Sequence, residues 1–156
     1  MNARFFLAIL PMWFSSQALA ADDLGPYPSP DDGYKRMVVK LPPVADETAR
    51  KVEIIVGKNQ TVDCNSTWFS GDLTTETVMG WGLRYHSVKK IAGPSATMKL
   101  CPADEQKKQA FVQMRGAGLI HDYDSRSPMV VYVPNGFQVK FRIWPASGDL
   151  GNTRKQ

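Results

Sequence analysis

The sequence predicts an all-β fold, an antiparallel β-sandwich or barrel-like single domain with one disulfide. Three observations predict it. Short runs of alternating apolar and polar residues recur along the chain, and this alternation is the period of a half-buried strand. Turn signals separate the runs at short spacing, and helical periodicity is nearly absent. The chain also contains two cysteines, Cys64 and Cys101.

Residues 1–20 have the pattern of a secretory signal peptide. Arg4 precedes an apolar run over residues 5–14, and Ala18-Leu19-Ala20 supplies the small residues at which a signal peptidase cleaves. The run is too short to span a bilayer, and no other stretch approaches roughly 18 apolar residues. We therefore expect an exported protein with no membrane partner, whose remaining residues 21–156 form one domain.

The first half of the domain begins with an extended leader. Residues 21–33 contain three prolines, which withhold hydrogen bonds from helices and sheets. Lys35–Leu41 is β-prone and ends at Pro42-Pro43. Lys51–Val56 alternates, which predicts a half-buried strand. A turn at Gly57-Lys58-Asn59 would then lead into a short strand at Thr61–Cys64.

The second half continues the pattern. Residues 76–85 carry the compact group Gly80-Trp81-Gly82. Further strands are predicted at His86–Ile91, Ala110–Arg115, Met129–Val133 and Gln138–Trp144, with turns at Gly93-Pro94 and Pro134-Asn135-Gly136. Only residues 46–51 and 103–108 could hold a helical turn.

The charge distribution argues against a nucleic-acid partner. The chain has 19 basic and 15 acidic residues, and loss of Arg4 with the signal peptide leaves a net charge of +3 (18 against 15). The basic residues form isolated pairs, such as Lys89-Lys90 and Lys107-Lys108, rather than a dense block.

Cys64 and Cys101 are an even pair in an exported chain, which is typical of a disulfide. Closing this 38-residue loop would stabilise the fold by up to about 4 kcal/mol. The alternatives are two free buried thiols or part of a metal site. A zinc site needs more ligands at short spacing, and the histidines are limited to His86 and His121. We therefore expect no metal and no cofactor.

Catalytic motifs are absent from the sequence. There is no G-x-S-x-G elbow, no H-E-x-x-H and no glycine-rich phosphate loop. His121 and Asp122 are adjacent, but neighbours on a strand point to opposite faces, and a triad also needs a serine at the other ring nitrogen. The prediction is a protein that is not an enzyme, with a small hydrolase as the disfavoured alternative.

The segment 93–102 is the most informative stretch. Gly93-Pro94 opens it, Cys101-Pro102 closes it, and the residues between carry no strong helix signal. A loop of this kind, tied near its end by Cys101, would have the extended and restrained geometry that a protease cleft accepts. Spacing alone favours the simpler interpretation, an ordinary hairpin stapled by a disulfide.

A series of short motifs extends from Pro26 to Trp144 in fixed order. They are Pro26-Tyr27-Pro28, Lys35-Arg36, Lys51-Val52-Glu53, Val62-Asp63-Cys64-Asn65, Gly80-Trp81-Gly82, Ser95-Ala96-Thr97-Met98, Cys101-Pro102, Pro128-Met129-Val130-Val131-Tyr132 and Val139-Lys140-Phe141-Arg142-Ile143-Trp144. Together, their order and spacing resemble the ecotin family of periplasmic serine protease inhibitors.

The resemblance implies a periplasmic, broad-specificity inhibitor of trypsin-, chymotrypsin- and elastase-type proteases. It implies a Cys64–Cys101 disulfide, Met98 in the primary specificity pocket and Met98-Lys99 as the reactive bond. The implied primary protease-binding loop consists of Ser95, Ala96, Thr97, Met98, Lys99 and Leu100. The implied supporting loop consists of Asn65, Ser66, Thr67 and Trp68.

The resemblance also implies a secondary protease-binding surface and a homodimer. The secondary surface consists of Gly80, Trp81, Gly82, Leu83, Arg84, Asp122, Tyr123, Asp124, Ser125, Arg126 and Ser127. The dimer segment, through which C-terminal strands are exchanged, consists of Val139, Lys140, Phe141, Arg142, Ile143 and Trp144. Two inhibitors and two proteases would then form a heterotetramer.

Three positions depart from the pattern of the family. Lys99 stands where a second Met is familiar, whereas Trp68 and Asp122 each replace a basic residue. Lys99 opens a competing register in which a trypsin-like pocket takes Lys99 and the reactive bond becomes Lys99-Leu100. The alternative function is a secreted β-sandwich module that binds a ligand or glycan, suggested by Trp68, Trp81 and Tyr85.

Overall fold

The regular elements in the described part of the domain are all strands. The structure, a computed structural model, describes residues 24–148 and 150–155, so the signal peptide expected at residues 1–20 lies outside the described residues. No helix in this part of the chain is long and apolar enough to cross a membrane. The strands are β1 Tyr34–Val39, β2 Arg50–Val62, β3 Thr67–Ser70, β4 Thr74–Thr77, β5 Arg84–Ser87, β6 Ala92–Ala96, β7 Lys108–Arg115, β8 Ile120–Asp122, β9 Met129–Pro134 and β10 Gln138–Pro145.

These strands form two sheets. The four-stranded sheet has the order β1-β9-β5-β4, and the six-stranded sheet has the order β10-β2-β7-β3-β6, with β8 also paired to β2. Most neighbours are antiparallel, as expected, but β3 runs parallel to β7 and β5 runs parallel to β9. The prediction of an all-β fold is therefore confirmed, with mixed rather than purely antiparallel sheets.

The core lies between the sheets. Val52, Ile54 and Val56 are fully buried on β2, which confirms the alternation predicted for residues 51–56. They share one apolar cluster with Val131 and Val133 of β9. Burial of these side chains from water supplies the main driving force that holds the two sheets together.

The outer face of the four-stranded sheet is also covered. Val130 and Tyr132 point away from the main core and pack against Tyr27 of the leader. The hydroxyl of Tyr132 donates a hydrogen bond to the carbonyl of Pro28. Strand β9 is therefore buried on both faces, and the leader is part of the folded domain.

Strand β2 is one continuous strand where the sequence predicted two. Its first half pairs with β10 and its second half with β7, so the turn expected at Gly57-Lys58-Asn59 is wrong. Gly57 instead permits the close approach of β7. A Cβ atom at Gly57 would lie 2.4 Å from the carbonyl oxygen of Val112 and 2.8 Å from the ring of Phe111.

Other strand predictions were correct where a buried pattern exists. The strands predicted at residues 35–41, 110–115, 129–133 and 138–144 correspond to β1, β7, β9 and β10. The bounds His86–Ile91 are wrong, because β5 begins at Arg84 and ends at Ser87. Strands β3, β4, β6 and β8 were missed because they are three to five residues long and mostly exposed or half-buried.

The two segments that could hold a helical turn, residues 46–51 and 103–108, contain single hydrogen-bonded turns and no helix. Near the first, the Asp46 carboxylate accepts hydrogen bonds from the N–H groups of Thr48 and Ala49 at 3.0 and 3.2 Å, which forms a local turn before β2. Asp and Thr side chains compete with helical hydrogen bonds in this way. At the second, a single turn closes between Pro102 and Glu105.

Candidate functional site

The segment that follows β6 projects from the domain as an exposed loop. Strand β6 lies at the edge of its sheet, and all five of its residues are exposed. The side chains of Met98 and Leu100 are fully exposed. The whole side chain of Met98 is therefore accessible from solvent.

Asn65 braces this loop on both sides of Met98. Its Oδ1 accepts a hydrogen bond from the hydroxyl of Thr97 at 2.9 Å and another from the backbone N–H of Lys99 at 2.7 Å. Its Nδ2 donates to the carbonyl of Lys99 at 3.4 Å. A single amide side chain thus fixes the residue before Met98 and the residue after it.

Two further ties restrain the loop. The N–H of Thr97 donates to the carbonyl of Ser66 at 3.0 Å, and the N–H of Ser66 donates to the Thr97 hydroxyl at 3.1 Å. The disulfide between Cys64 and Cys101 joins the neighbour of Asn65 to the end of the loop, with 5.7 Å between the Cα atoms. The predicted disulfide is confirmed, which rules out free thiols and metal ligation by these cysteines.

The remaining supporting residues lie in β3. Thr67 and Trp68 pair with Ala96 and Ser95 of β6, so the supporting segment and the primary loop are neighbouring strands. The ring of Trp68 is half-buried and packs against the guanidinium of Arg115, with 4.5 Å between Cζ and the ring centroid. Such a cation–π contact stabilises the ring position by about 0.5–1 kcal/mol at an exposed site. The sequence alone gave no sign of this partner.

The two segments implied as the secondary surface lie side by side. The loop 78–83 joins β4 to β5, and the segment 122–128 begins at the end of β8; both line a cavity of about 610 Å³. Trp81 is 66% exposed in this loop, between two glycines at φ of 80° and 66°. Positive φ angles of this size favour glycine, because glycine lacks a Cβ atom. The expected surface residues that line the cavity are Gly82, Leu83, Arg84, Asp122, Tyr123, Asp124, Arg126 and Ser127, whereas Gly80, Trp81 and Ser125 do not line it.

The carboxylates around this cavity are paired. Asp122 accepts a hydrogen bond from Lys51, and Asp124 accepts two from Arg126, at 2.9 and 3.0 Å. These hydrogen bonds hold the pKa of both aspartates below the usual range. The Asp122–Lys51 pair is exposed and contributes little to stability, but it neutralises the unusual negative charge at position 122.

The two histidines contact each other beside the same cavity. His86 of β5 and His121 of β8 belong to opposite sheets, and their ring centroids are 4.2 Å apart. Burial lowers the pKa of His86 to about 4, and the neighbouring His121 and Arg84 act in the same direction. Burial also lowers the pKa of His121. Sequence reasoning assigned neither residue, because their contact depends on how the strands are arranged.

The segment implied for the dimer is β10, at the edge of the six-stranded sheet. Phe141 and Trp144 are 43% and 46% exposed, and Val139 and Ile143 are half-buried. The indole N–H of Trp144 donates to the Glu53 carboxylate at 2.9 Å. Among the described strands none pairs with the outer edge of β10, so its backbone groups are available to a partner strand.

The aromatic residues that suggested a ligand site do not share a cavity. A cavity of about 340 Å³ on the outer face of the four-stranded sheet is lined by Tyr85 and by Glu76 and Lys89. Neither Trp68 nor Trp81 lines it. The ligand- or glycan-binding alternative therefore has no common aromatic surface at this cavity.

Comparison with known proteins identifies relatives over nearly the whole chain. The family model described as Ecotin matches residues 23–146. The chain is 44% identical over 143 residues to the Ecotin of Pseudomonas putida (strain W619), covering 90% of this chain and 89% of that protein. It is 40% identical over 136 residues to the Ecotin of Pseudomonas fluorescens (strain Pf0-1), covering 87% and 84%. The Ecotin of Yersinia pestis (strain Pestoides F) is 41% identical over 136 residues, covering 86% and 80%.

Proposed function

The chain belongs to the ecotin family of serine protease inhibitors, and we propose that it acts by inserting the exposed loop at Met98 into the active-site cleft of chymotrypsin-fold proteases. The observation that carries this proposal is the brace that Asn65 forms around a fully exposed Met98. Membership of this family confirms the expectation of an inhibitor rather than an enzyme.

Restraint of the loop supports tight binding. An extended segment binds a cleft through main-chain hydrogen bonds, while one side chain fills the specificity pocket. Because Asn65 and the disulfide order the loop before binding, little conformational entropy is lost in the complex. Met98 has an unbranched, polarizable side chain that adapts to pockets of different shape, which supports action on trypsin-, chymotrypsin- and elastase-type enzymes.

The same restraints explain inhibition without turnover. The protease serine attacks the Met98 carbonyl carbon, the bond to the Lys99 nitrogen breaks, and that nitrogen takes a proton. In an ordinary substrate the new amine diffuses away. Here Asn65 Oδ1 holds the Lys99 nitrogen, and the disulfide keeps the segment attached, so the amine stays in place to re-form the bond.

The bonding of Lys99 supports Met98 as the pocket residue. A residue in the primary pocket presents its own carbonyl to the oxyanion hole of the protease. The N–H and carbonyl of Lys99 are both engaged by Asn65. The competing register at Lys99-Leu100 would have to break the hydrogen bond between Asn65 Nδ2 and the Lys99 carbonyl.

A second contact and dimerisation would raise the affinity further. Residues 80–84 and 122–127 form the proposed secondary surface, and residues 139–144 of β10 form the proposed dimer contact. In a dimer, binding of one protease by both inhibitor copies makes the second contact effectively intramolecular, which increases avidity. We propose that residues 21–156 work in this way in the periplasm, after removal of the signal peptide.

Titration of the purified protein against trypsin, chymotrypsin and elastase tests the function. We expect inhibition of all three at micromolar inhibitor or below; no inhibition of any would refute the proposal. Met98→Asp should weaken each complex by more than about 100-fold, because an uncompensated charge enters an apolar pocket. Leu150→Asp, at another exposed apolar residue, is the control and should inhibit normally.

The reactive bond is tested separately. Incubation with trypsin at low pH, followed by sequencing of the new amino terminus, should yield a chain that begins at Lys99. A chain that begins at Leu100 would assign the pocket to Lys99. Equal inhibition by Met98→Asp would place the contact elsewhere on the protein.

A further inference from the structure

The two histidines join the two halves of the proposed secondary surface. His86 lies in β5, two residues after Arg84, and His121 directly precedes Asp122 in β8. Their rings are in contact, with 4.2 Å between centroids and 47° between planes. Because β5 and β8 belong to opposite sheets, this contact links the segment 80–84 to the segment 122–127.

Apart from Arg84, the groups that face the two rings are neutral or already paired. Strand β4 contributes Thr75, whose hydroxyl shares a hydrogen bond with Nδ1 of His86 at 3.0 Å. The Nε2 atom of His121 is buried and has no hydrogen-bond partner among the described residues. The apolar residues Val52 and Val131 pair with His121 and His86 in the two sheets.

The charged groups around the rings do little to stabilise a protonated imidazole. Arg84 of β5 carries a positive charge and repels an imidazolium at either position. A hydrogen bond with the backbone of Gly118 and, to a smaller extent, the charge of Asp122 favour a protonated His121. Asp122 is bound by Lys51 of β2, and Asp124 is bound by Arg126. Two tyrosines, Tyr27 and Tyr123, complete the titratable groups that line the cavity.

Protonation of His86 therefore disfavours the contact. A proton on His86 places a cation in a site from which most water is excluded, next to a second imidazole and Arg84. The charged ring becomes more fully hydrated if β5 and β8 move apart at this end of the sandwich. By contrast, the loop at Met98 is held by an amide and a disulfide, neither of which titrates in this range.

We infer that His86 and His121 are positioning residues that make the secondary protease contact dependent on pH. While both are neutral, they hold the two segments of the secondary surface side by side. When a proton enters the pair, the segments separate and the secondary contact weakens, while the primary loop keeps its geometry. This inference rests on the proposed secondary surface and extends it by stating how protease binding at that surface is regulated.

The first test measures binding to a trypsin-type protease whose catalytic serine is replaced by alanine, so that turnover does not interfere. The dissociation constant is compared at neutral pH and at about pH 4 for the wild type and for the double variant His86→Phe/His121→Phe, which keeps two rings but cannot titrate. The loss of affinity in acid should be up to about twofold greater for the wild type through His86 alone, because His86 is half protonated at its pKa of about 4. Equal losses would overturn the inference.

Trp81→Ala separates this outcome from failure of the secondary surface. Trp81 is exposed and lies outside the cavity lining, so its removal leaves the histidine contact unchanged. We expect the dissociation constant of Trp81→Ala to rise at neutral pH. If it does not, the secondary surface and this inference fail together, while inhibition through Met98 still stands.

A second measurement needs no variant. The histidine ring signals and the Trp81 indole signal of the free wild-type protein are followed by NMR as the pH falls. Both rings should titrate below the ordinary range, and the indole signal should shift in the same step. Titration near the ordinary value of 6.5 without a change at Trp81 would overturn the inference. Asp122 and Asp124 remain ionised over most of this range because their pKa values are lowered.

Discussion

Replacing Asn65 by alanine should convert a restrained loop into a flexible one. The substitution removes the acceptor for the Thr97 hydroxyl at 2.9 Å and for the Lys99 N–H at 2.7 Å. It also removes the donor to the Lys99 carbonyl at 3.4 Å. Water can replace these partners, because the groups are exposed or half-buried, so the domain itself should remain folded.

The magnitude follows from the bonds that are lost. Partly solvated hydrogen bonds contribute about 0.5–1.5 kcal/mol each, and the 3.4 Å bond belongs at the lower end. Since the freed loop must be ordered again on binding, we expect the loss to appear as about 1–3 kcal/mol of binding free energy. This corresponds to an inhibition constant about 5- to 150-fold higher. The free energy of unfolding should change less, because Met98 and its neighbours lie outside the core.

The assay combines the inhibition constant against chymotrypsin with mass spectrometry of the loop. In Asn65→Ala the Met98-Lys99 bond should be hydrolysed faster, because the Lys99 nitrogen is no longer held after cleavage. Asn65→Asp is the matched variant: it keeps both acceptor bonds and loses the donor bond, so its inhibition constant should lie between those of the wild type and the alanine variant.

An inhibition constant within twofold of the wild type, together with unchanged hydrolysis, would refute this reasoning. The restraint would then come from the disulfide and from the pairing of β3 with β6 rather than from Asn65. Thermal unfolding of each variant provides the control for damage to the fold.

Three further predictions follow from the packing and the titratable groups. Gly57→Ala should destabilise the domain by about 1–3 kcal/mol in chemical denaturation, because its Cβ would overlap the carbonyl oxygen of Val112; Gly148→Ala, which meets no atom within 4 Å, is the control and should leave the midpoint unchanged. The free energy of unfolding should fall by up to about 3 kcal/mol as the pH decreases from 6.5 to about 4, because His86 binds a proton in the unfolded chain but stays mostly neutral in the folded protein. A free energy of unfolding that does not change above pH 4 would contradict the burial of this ring. Trp144→Ala should shift the sedimentation profile toward monomer, and an unchanged profile would limit Trp144 to its contact within the chain.

Sequence patterns predicted the parts of the fold in which one face of a strand is buried. Residues 51–56 and 138–144 alternate because β2 and β10 each turn one face toward the core. Strand β6 has no such pattern, since all five of its residues are exposed and it is held by pairing with β3. Gly57 illustrates a further limit. In the sequence, a glycine that forms a turn cannot be distinguished from one that allows close packing of a neighbouring strand. The neighbouring strand β7 lies more than fifty residues away in sequence, so its pairing with Gly57 could not be predicted.

The candidate site was also predicted only in part from the sequence. The primary loop was identified through a resemblance between local motifs. Its contact with Asn65 joins the residue after Cys64 to Lys99, two residues before Cys101. The contact between His86 and His121 joins strands of opposite sheets, so no local sequence pattern predicts it. The pairing of Lys51 with Asp122 depends on the register of β2 against β8 for the same reason.

The complete exposure of Met98 and Leu100 has a consequence for how such a protein can evolve. Neither side chain packs against the core, so a substitution at either position changes what the loop offers to a partner without disturbing the folding of the domain. Target preference and folding are thus encoded by different residues. Selection by a new protease can act on one exposed position at a time, and each intermediate sequence still folds.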